Sequence, residues 1–466
     1  MTNQNQSHAP GLDENGFLDE RKLPEPELGT APILGERYYS EEFMQKEWDH
    51  VWTKVWLVAG MEEQVKNPGD RMTFDIGKES LLCTRDNDGK VRVFYNVCPH
   101  RGNKLVHEET SSGKAMACAY HGWRFKVDGE LSFVPQSEDY AQGNPCGKLR
   151  LKEIRSEVCG GFIWYSMDDD VMPLEEYLGP VHAQIQTYDL KRMKRTHWIT
   201  VEGQFNWKIV QDNFNESYHL PFVHPSTKYV MEQHYKHCQF DIFPEGHSRM
   251  FMPGNRPSLA LKSGYDETLK QMQHYFDFWG LDGEDFRDDP HSIREAMQKV
   301  KREKGQEKGL DFSGLTDDQL TDHYHYTIFP NFSLSLRPDG AFFLMATPHP
   351  TDPTRCYFDT WYLNWFPDGT KEYYSAAMFQ TVSWDTEVPH ITGLVGEVEC
   401  GKVIDEDLSV WTTQQKGLMS KGYQGGYLSG QEGRVRFFHE ELDRYIARGE
   451  AAKEAAKETA KVTPIK

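Results

Sequence analysis

The sequence predicts an α+β protein with an antiparallel β domain in its first third and a larger mixed domain behind it. Three observations carry this. Short β-rich runs alternate with Gly, Asn and Asp turns between Val55 and Met167. After Met167, strand-like and helical segments are mixed. The 466 residues are enough for two or three domains at roughly 150 residues each. With 38% hydrophobic and 13% aromatic residues, the composition is that of a globular protein rather than a disordered one.

Residues 1–40 read as a flexible arm, polar and then punctuated by Pro24, Pro26, Gly29 and Pro32. Residues 41–167 form the first domain. It opens on a helix over 41–56, where Phe43, Trp48, Val51 and Trp52 recur at helical spacing, and continues in strands around 56–58, 81–83, 91–94 and 161–165. Residues 168–449 form the second domain, with strands expected over 196–201, 326–336, 341–346 and 355–365 and helices over 207–219, 292–302, 407–420 and 433–448. Within it, 255–322 is rich in Lys, Glu, Asp and Gly and reads as a charged helical insertion. The stretch 450–466 has strong helix formers but almost no apolar face, and reads as a solvated tail.

Lys and Arg total 52 against 72 Asp and Glu, a formal charge of -20. Such a surface repels phosphate backbones, so nucleic acid is not an expected partner, and it can steer a basic protein instead. No run of about 18 apolar residues occurs, so no membrane helix is expected. The polar start has no apolar core of a secretory signal. The eight cysteines are scattered rather than dense, which suits a reducing cytoplasm with thiols buried or bound to metal.

The strongest chemical signal is Cys98-Pro99-His100-Arg101-Gly102 followed by Cys118-Ala119-Tyr120-His121-Gly122-Trp123. Each loop supplies one Cys and one His, so two irons can divide into a Cys pair and a His pair. Imidazoles in place of two thiolates raise the potential of a [2Fe–2S] cluster. Pro99, Gly102 and Gly122 suit tight turns that aim backbone N–H groups at sulfur. A zinc site shares this ligand set, but its usual spacing groups both Cys in one loop and both His in another.

A second cluster lies in the segment from Asn206 to Pro225. His219 and His224 are five apart, and on a continuous helix they would point about 140° apart. Pro221 is expected to end or bend the helix so that the chain brings the two together. Two neutral imidazoles with one carboxylate make the facial triad of non-heme Fe(II) oxygenases. Glu216, three before His219, is placed by this reading on the same helix face; it could alternatively be a ligand, as in Glu-x-x-His di-iron proteins. His323 and His325 alternate with Tyr324 and Tyr326 along a strand, so one face could line a pocket, although strand histidines are more often satisfied structurally. There is no G-x-G-x-x-G fingerprint, so electrons are expected from another protein.

The two segments together resemble the Rieske non-heme iron ring-hydroxylating oxygenases, large (alpha) subunit. The resemblance covers about residues 40–440. It implies a Rieske β domain beside a helix-grip catalytic domain, in which an antiparallel sheet surrounds a long helix. It implies Cys98, His100, Cys118 and His121 as cluster ligands, and His219, His224 and Asp407 as ligands of a mononuclear Fe(II). Asp405 and Glu406 are alternatives to Asp407, and the plain alternative is that these acids serve a helix N-terminus. Glu216 would bridge His219 to His121 of a neighbouring subunit; many relatives have Asp there, and Glu resembles the branch acting on methylammonium compounds. The other six cysteines then read as buried thiols. The implied protein is a terminal oxygenase, dioxygenase or monooxygenase, that uses O2 to hydroxylate an aromatic or similar small organic substrate. The alternatives are an N- or O-demethylating or quaternary-amine monooxygenase and, least, a plain electron carrier. A ferredoxin and/or flavin reductase, a homotrimer and a small beta subunit are the implied partners.

Overall fold

The computed structural model describes residues 27–375, 378 and 380–462. The chain divides into two compact units, one built chiefly from Gln45–Tyr177, the other from Leu178–Thr347 and Pro353–Arg444. Of the expected arm, residues 1–26 lie outside the described residues. The remainder is packed rather than loose: Ile33 and Tyr38 are buried, and the Tyr38 hydroxyl donates to Asp212 at 2.6 Å.

The first unit is antiparallel. Its strands are β1 (Leu57–Met61), β2 (Asp70–Ile76), β3 (Glu79–Arg85), β4 (Val91–Tyr95), β5 (Thr110–Ser112), β6 (Ala115–Ala117), β7 (Arg124–Lys126), β8 (Leu131–Phe133), β9 (Glu153–Cys159) and β10 (Phe162–Ser166). Seven form one sheet in the order β1-β10-β9-β4-β3-β2-β5, and β6-β7-β8 form a small second sheet. Leu82, Phe94, Trp123, Phe125 and Leu131 bury one continuous core that includes Cys98 and Cys118. The helix expected over 41–56 is shorter: an α-helix at Glu41–Glu47 gives way to one wide turn at Trp48–Trp52. Aromatic and β-branched side chains crowd that stretch and weaken its helical preference.

The second unit is one eight-stranded sheet with a long helix on it. Its strands are β11 (Lys194–Gly203), β12 (Gln239–Ile242), β13 (Ser248–Met252), β14 (His323–Ile328), β15 (Phe332–Arg337), β16 (Gly340–Pro348), β17 (Cys356–Asn364), β18 (Glu372–Ser375), β19 (Gln380–Ser383) and β20 (Ile391–Leu394). The order is β12-β13-β14-β15-β16-β17-β11-β20, with β18 and β19 forming a separate hairpin. Edge strand β20 runs parallel to β11, a departure from an all-antiparallel sheet. The single strand expected over 326–336 is a hairpin, β14 to β15, with Ile328 opposite Phe332. Pro330-Asn331 is a turn signal, and Pro has no N–H for a central ladder.

The helix Lys402–Leu418 packs on this sheet through Trp411, whose ring meets Phe358 of β17 edge-on at 5.2 Å. The charged insertion is helical, at Tyr265–Trp279 and Ile293–Lys304, with Met272, Phe276, Trp279, Ile293 and Met297 buried. Up to Val462 the stretch expected as a tail instead prolongs the helix Gly433–Val462, exposed over 450–458 and tied by Lys453 to Asp49 at 2.7 Å; residues 463–466 lie outside the described residues. Alternating Ala, Glu and Lys have enough intrinsic preference to prolong a helix already nucleated.

Candidate metal centres

Two loops of the first unit repeat one backbone turn. In one, the Cys98 N–H donates to the carbonyl of Asn103 at 2.8 Å and the Gly102 N–H to that of Cys98 at 3.0 Å. In the other, the Cys118 N–H donates to Trp123 at 2.8 Å and the Gly122 N–H to Cys118 at 2.9 Å. Gly102 and Gly122 close the turns at φ 74° and 70°, a region that side chains resist. The repeat sets Cys98 and Cys118 in the buried floor and His100 and His121 at a partly exposed rim, their rings 4.6 Å apart. His100 stacks on Trp123 at 4.7 Å.

The electrostatics suit a cluster. Burial pushes the Cys98 thiol up to about 11, against the pull of the His100 and Arg101 backbone N–H groups aimed at its sulfur. The Asn103 side chain faces the Cys118 sulfur at 3.8 Å. Buried thiols served by N–H donors are an arrangement that a metal completes by displacing the thiol proton. Burial, then the His121 and Arg101 charges, hold His100 below its usual range, in the neutral form that ligates. Of the other six cysteines, five are buried and Cys146 is half-buried, so the expectation of buried thiols fails at that one.

The second constellation is built by three short elements of the second unit. Asn206 caps the site helix Trp207–Phe214 by accepting the Lys208 N–H at 2.9 Å. That helix ends at Phe214 rather than running to 219. Asn215 and Ser217 are residue types that favour turns over helix interiors, a local signal for the break, and the Glu216 side chain takes the backbone N–H groups of Tyr218 and His219 just beyond it. Pro221 is therefore not the breaker. It starts a new short helix, Leu220–Val223, where its missing N–H costs nothing. His219 and His224 flank this turn of helix with ring centroids 5.3 Å apart.

Asp407 closes the set from the long helix. Its Oδ1 lies 2.9 Å from His224 Nε2 and 3.7 Å from His219 Nε2. One ligand atom from each of the three residues lies within 4.8 Å of the others. The Asp407 carboxylate is 1% exposed, yet its Oδ2 has no hydrogen-bond partner among the described residues. A buried carboxylate oxygen left without a partner is costly, and a cation is the natural remedy. Burial pulls the His224 imidazole down, and hydrogen bonds and charges from Asp407 and Glu406 outweigh it, so it stands above its usual value. Positive charge is favoured here.

The neighbouring acids do other work. The helix begins at Lys402, not at 407, so Asp407 sits in its second turn and Asp405 in its first, accepting the Cys400 N–H at 3.0 Å. Glu406 holds Nδ1 of His224 at 2.7 Å. Adjacent helix positions point about 100° apart, so Glu406 and Asp407 grip opposite nitrogens of one imidazole. Glu216 holds Nδ1 of His219 at 2.6 Å and accepts the backbone N–H groups of Tyr218 and His219. It sits in a turn rather than on a helix face, and its oxygens serve His219 rather than joining the three-residue cluster. Each imidazole thus has a carboxylate on Nδ1, which fixes its tautomer and turns Nε2 toward Asp407. His323 and His325 both meet the Ser335 hydroxyl, at 3.1 and 2.7 Å, and burial pushes His323 down to about 3. His439, without context in the sequence, meets Asp212 of the site helix at 2.9 Å.

A paired Cys/His loop site and a two-His, one-carboxylate site on one chain define the class of Rieske non-heme iron proteins. The model of the Rieske [2Fe-2S] domain matches residues 55–149, and that of the ring hydroxylating alpha subunit (catalytic domain) matches residues 190–448. The chain belongs to the ring hydroxylating alpha subunit family. It is 34% identical over 194 residues to the large oxygenase component of the naphthalene 1,2-dioxygenase system of Pseudomonas aeruginosa, covering 40% of this chain and 43% of that protein. It is 32% identical over 205 residues to the carnitine monooxygenase oxygenase subunit of Escherichia coli (strain K12), covering 43% and 53%. The alignments thus span about half the length of these relatives. Its fold is similar to that of a quaternary ammonium Rieske monooxygenase crystallised with an inhibitor: TM-score 0.64, 18% identity, 91% of this chain and 99% of that one covered. The two matched domains carry a Rieske [2Fe–2S] cluster and a mononuclear iron. Among the described residues, no helix is long and apolar enough to cross a membrane.

Proposed function

We propose that this chain is the terminal oxygenase component of a multicomponent system, hydroxylating or dihydroxylating an aromatic or similar small organic substrate with O2 and externally supplied electrons. The observation that carries this is the His219–His224–Asp407 cluster, with His224 and Asp407 buried and Asp407 Oδ2 unpartnered among the described residues, in a chain that also has a Rieske domain. A plain electron carrier has no use for that second site. Cys98, His100, Cys118 and His121 would hold the cluster, and His219, His224 and Asp407 the iron, which when bound supplies O2 activation. Glu216 and Glu406 orient the imidazoles. Trp411, one helical turn from Asp407, packs edge-on against Phe205, Phe214 and Phe358, a wall that keeps water from one side.

Exposed apolar side chains flank both centres: Tyr120 at 53% and Val97 at 40% beside the cluster loops, Tyr218 at 49% and Phe222 at 79% beside His219. Exposed apolar rims suit contact between copies, and in line with the family resemblance we assign the chain to a homotrimer, in which Glu216 would bridge His219 to His121 of a neighbouring copy. The electron donor is a ferredoxin and/or a flavin reductase in the cytoplasm, and a small beta subunit is an optional addition.

A second reading, oxidation of a quaternary amine, is favoured by Glu at 216 and by the carnitine monooxygenase relative. Turnover with a reductase and ¹⁸O2 on an aromatic hydrocarbon and on a trimethylammonium acid decides between them. Label in a ring diol supports the first; label in the alcohol or aldehyde released from the amine supports the second. Reductase-dependent cluster cycling with no labelled product from any substrate class sinks both.

A further inference from the structure

The turn that leads from the site helix to His219 rests on a buried cation that the metal chemistry does not use. Arg434, in the first turn of the C-terminal helix, is 1% exposed. Its Nε donates to the Ser248 hydroxyl at 2.9 Å, one Nη to the Thr327 hydroxyl at 3.0 Å, and the other to the carbonyl of Phe214 at 3.4 Å. Ser248 in turn donates to the Asn215 side chain at 3.4 Å. No carboxylate among the described residues lies within 4.0 Å of the guanidinium.

A buried guanidinium served only by neutral acceptors is costly to keep, since a full charge has been taken out of water without an ion-pair partner. Its placement is specific. Phe214 ends the site helix, where carbonyls lack intrahelical donors and the negative end of the helix dipole lies. Asn215 begins the turn, and Glu216 follows at once with its grip on His219. From the other side His325, held by Ser335, sets its ring 5.8 Å from that of Phe214. The Phe214–Glu216 turn is thus clamped by groups from β13, β14 and the C-terminal helix.

We infer that Arg434 is a positioning residue of the mononuclear iron site, fixing through Phe214 and Asn215 the place where Glu216 and His219 stand. This rests on the reading of His219, His224 and Asp407 as iron ligands. Burial pushes the Arg434 guanidinium down to about 9, with Asp241 and Glu216 opposing, so it stays charged at neutral pH. The charge is constant while the hydrogen-bond fork supplies the geometry, which distinguishes Arg from Lys at this position.

The test is Fe(II) titration of full-length protein stripped of its mononuclear iron, followed by EPR of the nitric oxide adduct, with the reduced-cluster EPR and Tm measured alongside. Arg434→Met is expected to bind Fe(II) about tenfold more weakly and to change the rhombicity of the adduct signal, with the cluster signal unchanged. Arg434→Lys, which keeps the charge but not the fork, is expected to restore part of the affinity. Thr327→Val, a milder change should Arg434→Met fail to fold, moves affinity in the same direction by about threefold. A lowered Tm with wild-type Fe(II) affinity and adduct spectrum overturns the inference. A wild-type protein that takes up no third iron fails earlier, at the ligand reading itself.

Discussion

Removing the carboxylate behind His224 is the perturbation whose size the structure sets most clearly. Glu406 meets Nδ1 of His224 at 2.7 Å, and His224 is 1% exposed. A hydrogen bond to a charged group contributes about 1.5–3 kcal/mol. The Glu406 side chain is 28% exposed, so solvent screening places the pair at the lower end, about 1.5 kcal/mol. At 1.4 kcal/mol per factor of ten, Glu406→Gln should weaken Fe(II) binding about tenfold, in line with the 10- to 100-fold cost of losing a carboxylate behind a metal-bound histidine. The assay is anaerobic Fe(II) titration of stripped protein, read by the nitric oxide adduct, with the cluster EPR as an internal standard. Glu216→Gln should lose a comparable amount of affinity and, in addition, slow reoxidation of the reduced cluster under single-turnover conditions. Unchanged Fe(II) affinity in both variants would refute the carboxylate–imidazole reasoning. Equal slowing of cluster reoxidation in both would refute the separate role given to Glu216.

Three further outcomes are expected. Cys118→Ser should abolish the reduced-cluster EPR signal while leaving Fe(II) titration at the second site intact; loss of both would mean a failure to fold. Trp411→Ala opens a hole among Phe205, Phe214 and Phe358 and should destabilise by about 3–5 kcal/mol, measured as a shift in the urea midpoint. Burial holds His197 down to about 4, so between about pH 6.5 and 4 the unfolded chain binds a proton that the native one does not. Stability therefore falls as pH drops through that window, by up to about 3 kcal/mol from this residue. His197→Asn should flatten that part of the stability profile, and an unaltered slope would contradict it.

The legibility of the sequence followed the range of the interactions. The two loops that carry Cys98, His100, Cys118 and His121 were readable because each is a local turn, whose Gly and Pro positions follow from backbone sterics. The hairpin at Pro330 and the break after Phe214 also had local signals, which periodicity alone overrode. Asp407 lies 183 residues from His224, and no pattern near either residue joins them; only resemblance supplied it. The role of Glu406 was out of reach for the same reason, since the register of the long helix decides which acid meets which nitrogen. The parallel pairing of β20 and the burial of Arg434 likewise depend on where distant segments dock.

Whether one chain holds two different iron centres is decided by iron analysis joined to EPR of the dithionite-reduced protein. About three irons per chain with a rhombic Rieske-type signal are expected, falling to about two in His219→Ala with that signal unchanged. Zinc in place of iron with no signal, or an iron count indifferent to His219, would contradict it.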